Sequence, residues 1–231
     1  SYAEVRNVPA ERLVRIPPGV SDQQAAAIML KGLTAWYLLR RTYRVKRGDS
    51  VLIHAAAGGV GLIACQWARY LGAKVIGVVS NEDKARLARR HGCQHVIIGH
   101  ADLPRAVKSL TRGAGVNVVY DAVGKDTFFS SLDSLKPLGM MVSYGNASGA
   151  VPPVDPGLLA QKGALFLTRP TLATYTANRA DLVKSARELF AVVKKGGVKV
   201  AINQTYPLQE AAQAHRDLEA RKTTGSTLLL P

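Results

Sequence analysis

Apolar runs of four to six residues alternate along the chain with longer stretches in which apolar residues recur every three or four positions. The runs SVLIHA (50–55), AKVIGVVS (73–80), QHVIIG (94–99), VNVVYDAVG (116–124), GMMVSYGNAS (139–148) and GALFLTRP (163–170) predict six strands. Between them, GVGLIACQWARYLG (59–72), NEDKARLARRHG (81–92), DLPRAVKSLTRGAG (102–115) and KDTFFSSLDSL (125–135) predict helices. Gly72 and Gly92 act as stops. Strands that are Val/Ile/Leu-rich without alternation are buried on both faces, and helical crossovers make them parallel. The fold class is therefore α/β, a doubly wound parallel six-stranded sheet of the Rossmann type. Flanking it, SDQQAAAIMLKGLTAWYLLRRTY (21–43) and NRADLVKSARELFAVVKKGG (178–197) predict long helices. VKVAI (198–202) and STLLL (226–230) predict two further strands on either side of LQEAAQAHRDLEARK (208–222).

The turn between the first strand and its helix carries the candidate chemistry. On the dinucleotide fingerprint G-x-G-x-x-G, residues 56–61 align as Ala56-Ala57-Gly58-Gly59-Val60-Gly61. Gly58 takes the second position, where a side chain would block a pyrophosphate, and Gly61 the third, where helix and strand pack closely. The N–H groups of Gly59, Val60 and Gly61 open the helix, whose positive end suits a diphosphate. The end of the second strand has Ser80, Asn81 and Lys84, where an NAD-binding fold places a carboxylate. A hydroxyl and an ammonium accept a 2′-phosphate, which points to NADPH. Ser80 with Asp83 also reads as a helix N-cap pair, and the two roles are compatible.

Composition narrows the class without naming a reaction. The chain has 231 residues, 47% of them hydrophobic, enough for a full core and too many for disorder. No apolar run approaches the ~20 residues of a membrane helix. Two cysteines, Cys65 and Cys93, exclude a disulfide framework and a cysteine-rich zinc site, and fit a cytoplasmic setting. No His/Cys/Asp cluster in the sequence suggests a zinc site. The net charge of +15 is scattered through RRTYRVKR, KARLARR and VKKGGVK, as on a solvated basic surface. Weak RNA binding stays open on the charge, but only 6% of residues are aromatic and no aromatic-rich basic strip appears.

With these elements in place, the chain resembles the zeta-crystallin-like NADPH:quinone oxidoreductases of the medium-chain dehydrogenase/reductase superfamily. The resemblance is carried by LKGLTAWYLLR, HAAAGGVGLIACQWA, VVYDAVGKDTF, VSYGNASGAV, QKGALFLTRPTL and EARKTTGSTLLLP, and it covers essentially the whole chain. It implies a zinc-independent, homodimeric enzyme that passes a hydride from NADPH to a quinone held in an interdomain cleft. Enone or enoyl reduction is the alternative within the superfamily; a cofactor-binding protein without catalysis is the alternative outside it.

The resemblance also implies site residues. Thr34 would lie near the nicotinamide ribose, Gly59 and Val60 at the diphosphate, and Ser80 and Lys84 at the 2′-phosphate. Val123 in the DAVG turn and Tyr144, Gly145, Asn146 and Ala147 in YGNA would pass beside the cofactor. Pro170, Thr171 and Leu172 would flank the nicotinamide, and Arg221 would reach back to the phosphates. Thr34 as an ordinary helix residue, Asn146 as a turn former and Arg221 as a surface arginine remain the simpler readings. Gly99, followed by His100, stands where the family often has a tyrosine near the adenosine phosphate, so NADPH would be held less tightly unless His100 or His95 substitutes; exposed loop residues are the simpler reading of both histidines. No catalytic acid or base is assigned: His54 reads as a packed or turn-bonded histidine, Cys65 as core, and Cys93 has no partner in the sequence.

The expected organisation has three parts. Residues 1–29 read as the end of a GroES-like barrel domain and a linking turn, 30–170 as the dinucleotide-binding domain, and 171–231 as elements returning to the barrel. The family's N-terminal barrel would precede residue 1, so the sequence reads as lacking most of that domain. The sixth strand would form the sheet edge through which the dimer pairs.

Overall fold

The computed structural model describes residues 2–220 and 222–231. At its centre are six parallel strands: β1 (Ser50–Ile53), β2 (Lys74–Val79), β3 (His95–Ile98), β4 (Val116–Asp121), β5 (Leu135–Ser143) and β6 (Phe166–Thr168). Their order, β3-β2-β1-β4-β5-β6, reverses direction at β1 and β4, where the doubly wound fold opens a crevice at the carboxyl ends of the strands. Leu52 is in register with Ile76 on one side and Val119 on the other. The six predicted strands are the six observed.

Successive strand residues face opposite sides of the sheet, so each strand supplies two cores. Val51, Ile53, Val75 and Val118 join one core with α1 (Asp22–Tyr37), α2 (Gly59–Tyr70) and α8 (Arg179–Lys194). Leu52, Ile76, Val119 and Met141 join the other, with α4 (Leu103–Leu110) and α5 (Phe128–Asp133). Helix α3 (Glu82–Arg90) lies on the first face through Ala85 and Ala88.

Several local features fix the helices that carry the site. Ser21 and Gln24 form a reciprocal capping box at the start of α1. The last turn of α1 widens into a π-helical segment, Leu38–Thr42, and the Tyr120 hydroxyl donates to the Leu38 carbonyl at 3.1 Å. The indole N–H of Trp36 donates to Glu188 at 2.7 Å, joining α1 to α8. Cys65 and Cys93 are both buried, with their Sγ atoms 3.3 Å apart, so Cys93 has a neighbour that its sequence context did not indicate.

Near the carboxyl end the structure departs from the expected elements. VKVAI was expected as a strand, but the strand is β7 (Ile202–Pro207), paired in parallel with β8 (Ser226–Leu230) across α9 (Ala211–Glu219). The cause lies in Gln66. Its side-chain amide accepts from Lys199 N–H at 2.9 Å and donates to Lys199 C=O at 3.1 Å, taking the backbone groups a neighbouring strand would need. The segment after it alternates between half-buried and exposed residues, as a one-faced strand does. Short helices α6 (Pro156–Gln161) and α7 (Leu172–Tyr175) were not expected from the sequence. Among the described residues, no helix is long and apolar enough to cross a membrane.

Candidate functional site

The chain turns from β1 into α2 through a strained backbone. Ala55 adopts φ of +50°, and its carbonyl accepts from Gly58 N–H at 2.8 Å. Gly58 is the N-cap of α2, and Leu62 N–H is the first to bond back, to the Gly58 carbonyl at 2.9 Å. The N–H groups of Gly59, Val60 and Gly61 therefore have no acceptor within the helix. A Cβ on Gly58 would approach only the Ala55 carbonyl closely, at 3.1 Å, and would otherwise project into open space. The turn is thus a shallow cradle of backbone at a helix N-terminus, which fits a diphosphate.

The turn after β4 forms the facing wall. Asp121 ends β4 fully buried, and one carboxylate oxygen accepts from the N–H groups of Val123 at 2.7 Å and Gly124 at 3.1 Å. The other accepts from the hydroxyls of Thr127 at 2.8 Å and Ser131 at 3.2 Å. His54 Nε2 meets the Ser131 Oγ at 2.8 Å. Because that hydroxyl donates to Asp121, the ring nitrogen is the donor. Burial holds the His54 imidazole below its ordinary range, although Asp121 pulls the other way; His100 adds to the lowering. The histidine is packed, as the sequence suggested, and its ring bonds to helix α5 and not to a turn.

The loop after β5 zips onto this turn. Ala147 N–H donates to the Ala122 carbonyl at 3.1 Å, and Ser148 N–H to Val123 at 2.8 Å. Gly145 allows the approach, since a Cβ there would stand 2.5 Å from the Ala122 oxygen. At the end of β2, Asn81 caps α3 by accepting from Lys84 N–H at 2.9 Å, so the cap belongs to Asn81 and not to Ser80 with Asp83. Glu82 pairs with Arg89 at 2.8 Å and Asp83 with Arg86, so both carboxylates of the first turn bind arginines of their own helix.

These walls enclose a cleft of about 760 Å³. Gly58, Gly59, Ser80, Lys84, Gly99, Val123 and Ala147 line it, which joins the phosphate turn, the end of β2 and the β4 turn in one space. Thr34, Val60, Asn81, Tyr144, Gly145, Asn146, Pro170, Thr171 and Leu172 are not among its lining residues. Thr34 donates its hydroxyl to the Leu30 carbonyl at 2.9 Å. Pro170–Leu172 lead into α7, anchored by Tyr175, which stacks on Tyr37 with ring centres 4.6 Å apart. Arg221 lies outside the described residues.

Lining residues that the sequence did not single out include Lys31 on α1, Asp126 after the β4 turn, and His215 and Leu218 on α9. Tyr2 and the Thr223–Gly225 turn complete that outer wall, with the Tyr2 hydroxyl against His215. Ser226 Oγ donates to the Ala27 carbonyl at 2.9 Å, and Gly225 N–H to Ala57 at 3.3 Å, so β8 is tied to α1 and to the phosphate turn. Lys31, Lys84 and a single carboxylate, Asp126, are among the residues that line the cleft. Among the described residues, no group of three or more His, Cys, Asp or Glu side chains is placed to hold a metal.

The zinc-binding dehydrogenase family matches residues 59–191, the segment that runs from the start of α2 just after the glycine turn and holds five of the six strands. A quinone oxidoreductase of Pseudomonas aeruginosa is 52% identical over the whole chain, which spans 71% of that protein's length. The chain belongs to the quinone oxidoreductase family of medium-chain dehydrogenases/reductases. The Escherichia coli quinone oxidoreductase, solved in complex with NADPH, superposes with a TM-score of 0.95 at 49% identity, covering the whole chain and 72% of that structure. A 2-haloacrylate reductase of a Burkholderia species is 48% identical over the whole chain and 71% of its own length. In this quinone oxidoreductase family member, the matched fold includes the six-stranded parallel sheet.

Proposed function

We propose that the cleft binds NADPH and that the chain serves NADPH-dependent reduction of a quinone. The observation that carries this reading is the joining of Gly58 and Gly59 with Ser80 and Lys84 in one cleft, with no carboxylate at the end of β2 lining it. The backbone cradle fits the diphosphate, and Ser80 with Lys84 fits the 2′-phosphate. When bound, NADPH supplies a hydride from its nicotinamide. The chain's own residues orient and shield: Val123 and Ala147 form an apolar wall, and Asp121 holds that wall rigid from beneath. Thr34 and Pro170–Leu172 would lie toward the nicotinamide and Tyr144–Ala147 beside the cofactor, with Val60 at the diphosphate, Asn81 supporting the end of β2, and Arg221 reaching the phosphates. The test is a fluorescence titration of this chain with NADPH and NADH. Tighter NADPH binding is expected; equal affinity would overturn the reading of Ser80 and Lys84.

The division into residues 1–29, 30–170 and 171–231 belongs to the same proposal, with α1 straddling its first boundary. The outer parts would join a GroES-like domain, and the quinone would lie between that domain and the cleft. The exposed edge strand β6, with Phe166 and Leu167 at the surface, is proposed as the dimer seam. Sedimentation as a strict monomer would remove it. The cytoplasm is the proposed location. A second reading, reduction of an activated alkene, draws support from the 2-haloacrylate reductase relative. Turnover of a 2-haloacrylate in preference to quinones would favour it.

A further inference from the structure

We infer that Lys31 is a diphosphate ligand of the cleft, reaching the glycine turn from the opposite helix; this rests on the NADPH reading above. Lys31 stands on α1, three residues before Thr34, on the same face of the helix. Its stem lies over Gly59: a Cβ on residue 59 would stand 2.6 Å from Lys31 Cδ and 2.7 Å from Cε. The side chain lines the cleft beside Gly58 and Gly59. Among the described residues it makes no ion pair or side-chain hydrogen bond.

That position is unfavourable for a cation without an anion. The start of α2 carries positive partial charge from its free N–H groups, which repels an ammonium. Burial removes part of the water that would offset this, and it lowers the Lys31 ammonium below its ordinary range. A dianionic diphosphate between the ammonium and the N–H groups offsets both costs, since each then donates to phosphate oxygen. A purely packing role would be served by an uncharged chain of equal length. Lys31 and Lys84 then divide the cofactor. Lys31 serves the diphosphate common to NADPH and NADH, and Lys84 serves the phosphate found only in NADPH.

The division gives a test. NADPH, NADH and 2′-AMP are titrated against the parent chain, Lys31→Met, Lys31→Arg and Lys84→Met, with thermal melts confirming that each variant folds. Lys31→Met keeps the stem over Gly59 and removes the charge. Its dissociation constants for NADPH and NADH should rise by the same factor, roughly tenfold or more. Its affinity for 2′-AMP, which has no diphosphate, should not change. Lys31→Arg should retain most of the affinity, and Lys84→Met should weaken NADPH and 2′-AMP while sparing NADH. Unchanged NADPH binding by Lys31→Met overturns the inference, as does an equal loss for 2′-AMP. A parent chain that binds neither dinucleotide overturns the NADPH reading and this inference with it.

Discussion

A Cβ on Gly61 would stand 2.2 Å from the carbonyl oxygen of Ala55 and 2.8 Å from the Ala56 backbone. No side-chain rotation relieves a clash between a Cβ and main chain, so α2 would have to lift from the end of β1. Gly61→Ala is expected to destabilise the fold by about 2 kcal/mol or more. Gly58→Ala is expected to fold nearly as the parent does, because its Cβ meets one oxygen at 3.1 Å. It should instead weaken NADPH, into whose cradle the methyl would project. Denaturant melts and NADPH titrations of both variants separate the two roles. A Gly61→Ala chain as stable as the parent would sink the packing argument.

Asp121 accepts four hydrogen bonds in a fully buried site. Asp121→Ala would leave two backbone N–H groups and two hydroxyls without their acceptor. A loss of about 3 kcal/mol or more is expected. Asp121→Asn keeps one acceptor oxygen but turns a donor toward hydroxyls that must then rotate, so its cost should be smaller. Urea unfolding measures both. A loss below 1 kcal/mol in the alanine variant, on the order of a single neutral hydrogen bond, would show that the β4 turn does not depend on the carboxylate.

The hydrophobic pattern revealed the central strands β1, β2 and β4 because they are buried on both faces, which leaves an unbroken Val/Ile/Leu run, and it revealed the edge strands β3 and β6 because they keep short apolar runs although they are partly exposed. It missed β7 because Lys199 satisfies its backbone with the amide of Gln66, a contact 133 residues away that no local pattern reports. Gly58, Gly59, Ser80 and Lys84 were legible because each sits next to a strand end, where sequence and space coincide. Asp121 was hidden within an apolar strand. Leu218 and His215 enter the cleft only because β8 docks on α1, a tertiary event. Lys31 carried one local signal: its spacing of three from Thr34 on one helix.

His54 gives the stability a pH dependence whose sign is fixed by burial. Its folded-state pKa is lowered, so the unfolded chain takes up the proton first as pH falls. Stability contributed by the neutral ring is therefore complete above the unfolded value of about 6.5 and is lost as pH drops below it. The slope should approach about 1.4 kcal/mol per pH unit until the folded pKa is reached. Thermal melts from pH 7 to pH 5 on the parent and on His54→Gln isolate this contribution. The variant should be less stable at pH 7, having lost the bond to Ser131, and should show a shallower decline. An identical slope in both chains would assign the acid sensitivity elsewhere.

The proposed preference for NADPH should respond to one charge placed at the end of β2. Ser80 lines the cleft, and the neighbouring carboxylates of Glu82 and Asp83 are paired with Arg89 and Arg86, so neither competes for the position. Ser80→Asp would place an anion where the 2′-phosphate is proposed to lie, and would offer an acceptor to the ribose hydroxyls of NADH. The preference for NADPH over NADH is expected to fall about a hundredfold, through repulsion of one cofactor and a modest gain for the other. Asn81 still caps α3 in this variant, so the helix should be retained and the melting temperature little changed. Titration with both cofactors reads the ratio directly. If the ratio moved less than about twofold while both cofactors still bound, the 2′-phosphate would have to lie away from Ser80, and selectivity would rest with Lys84 and His100 instead.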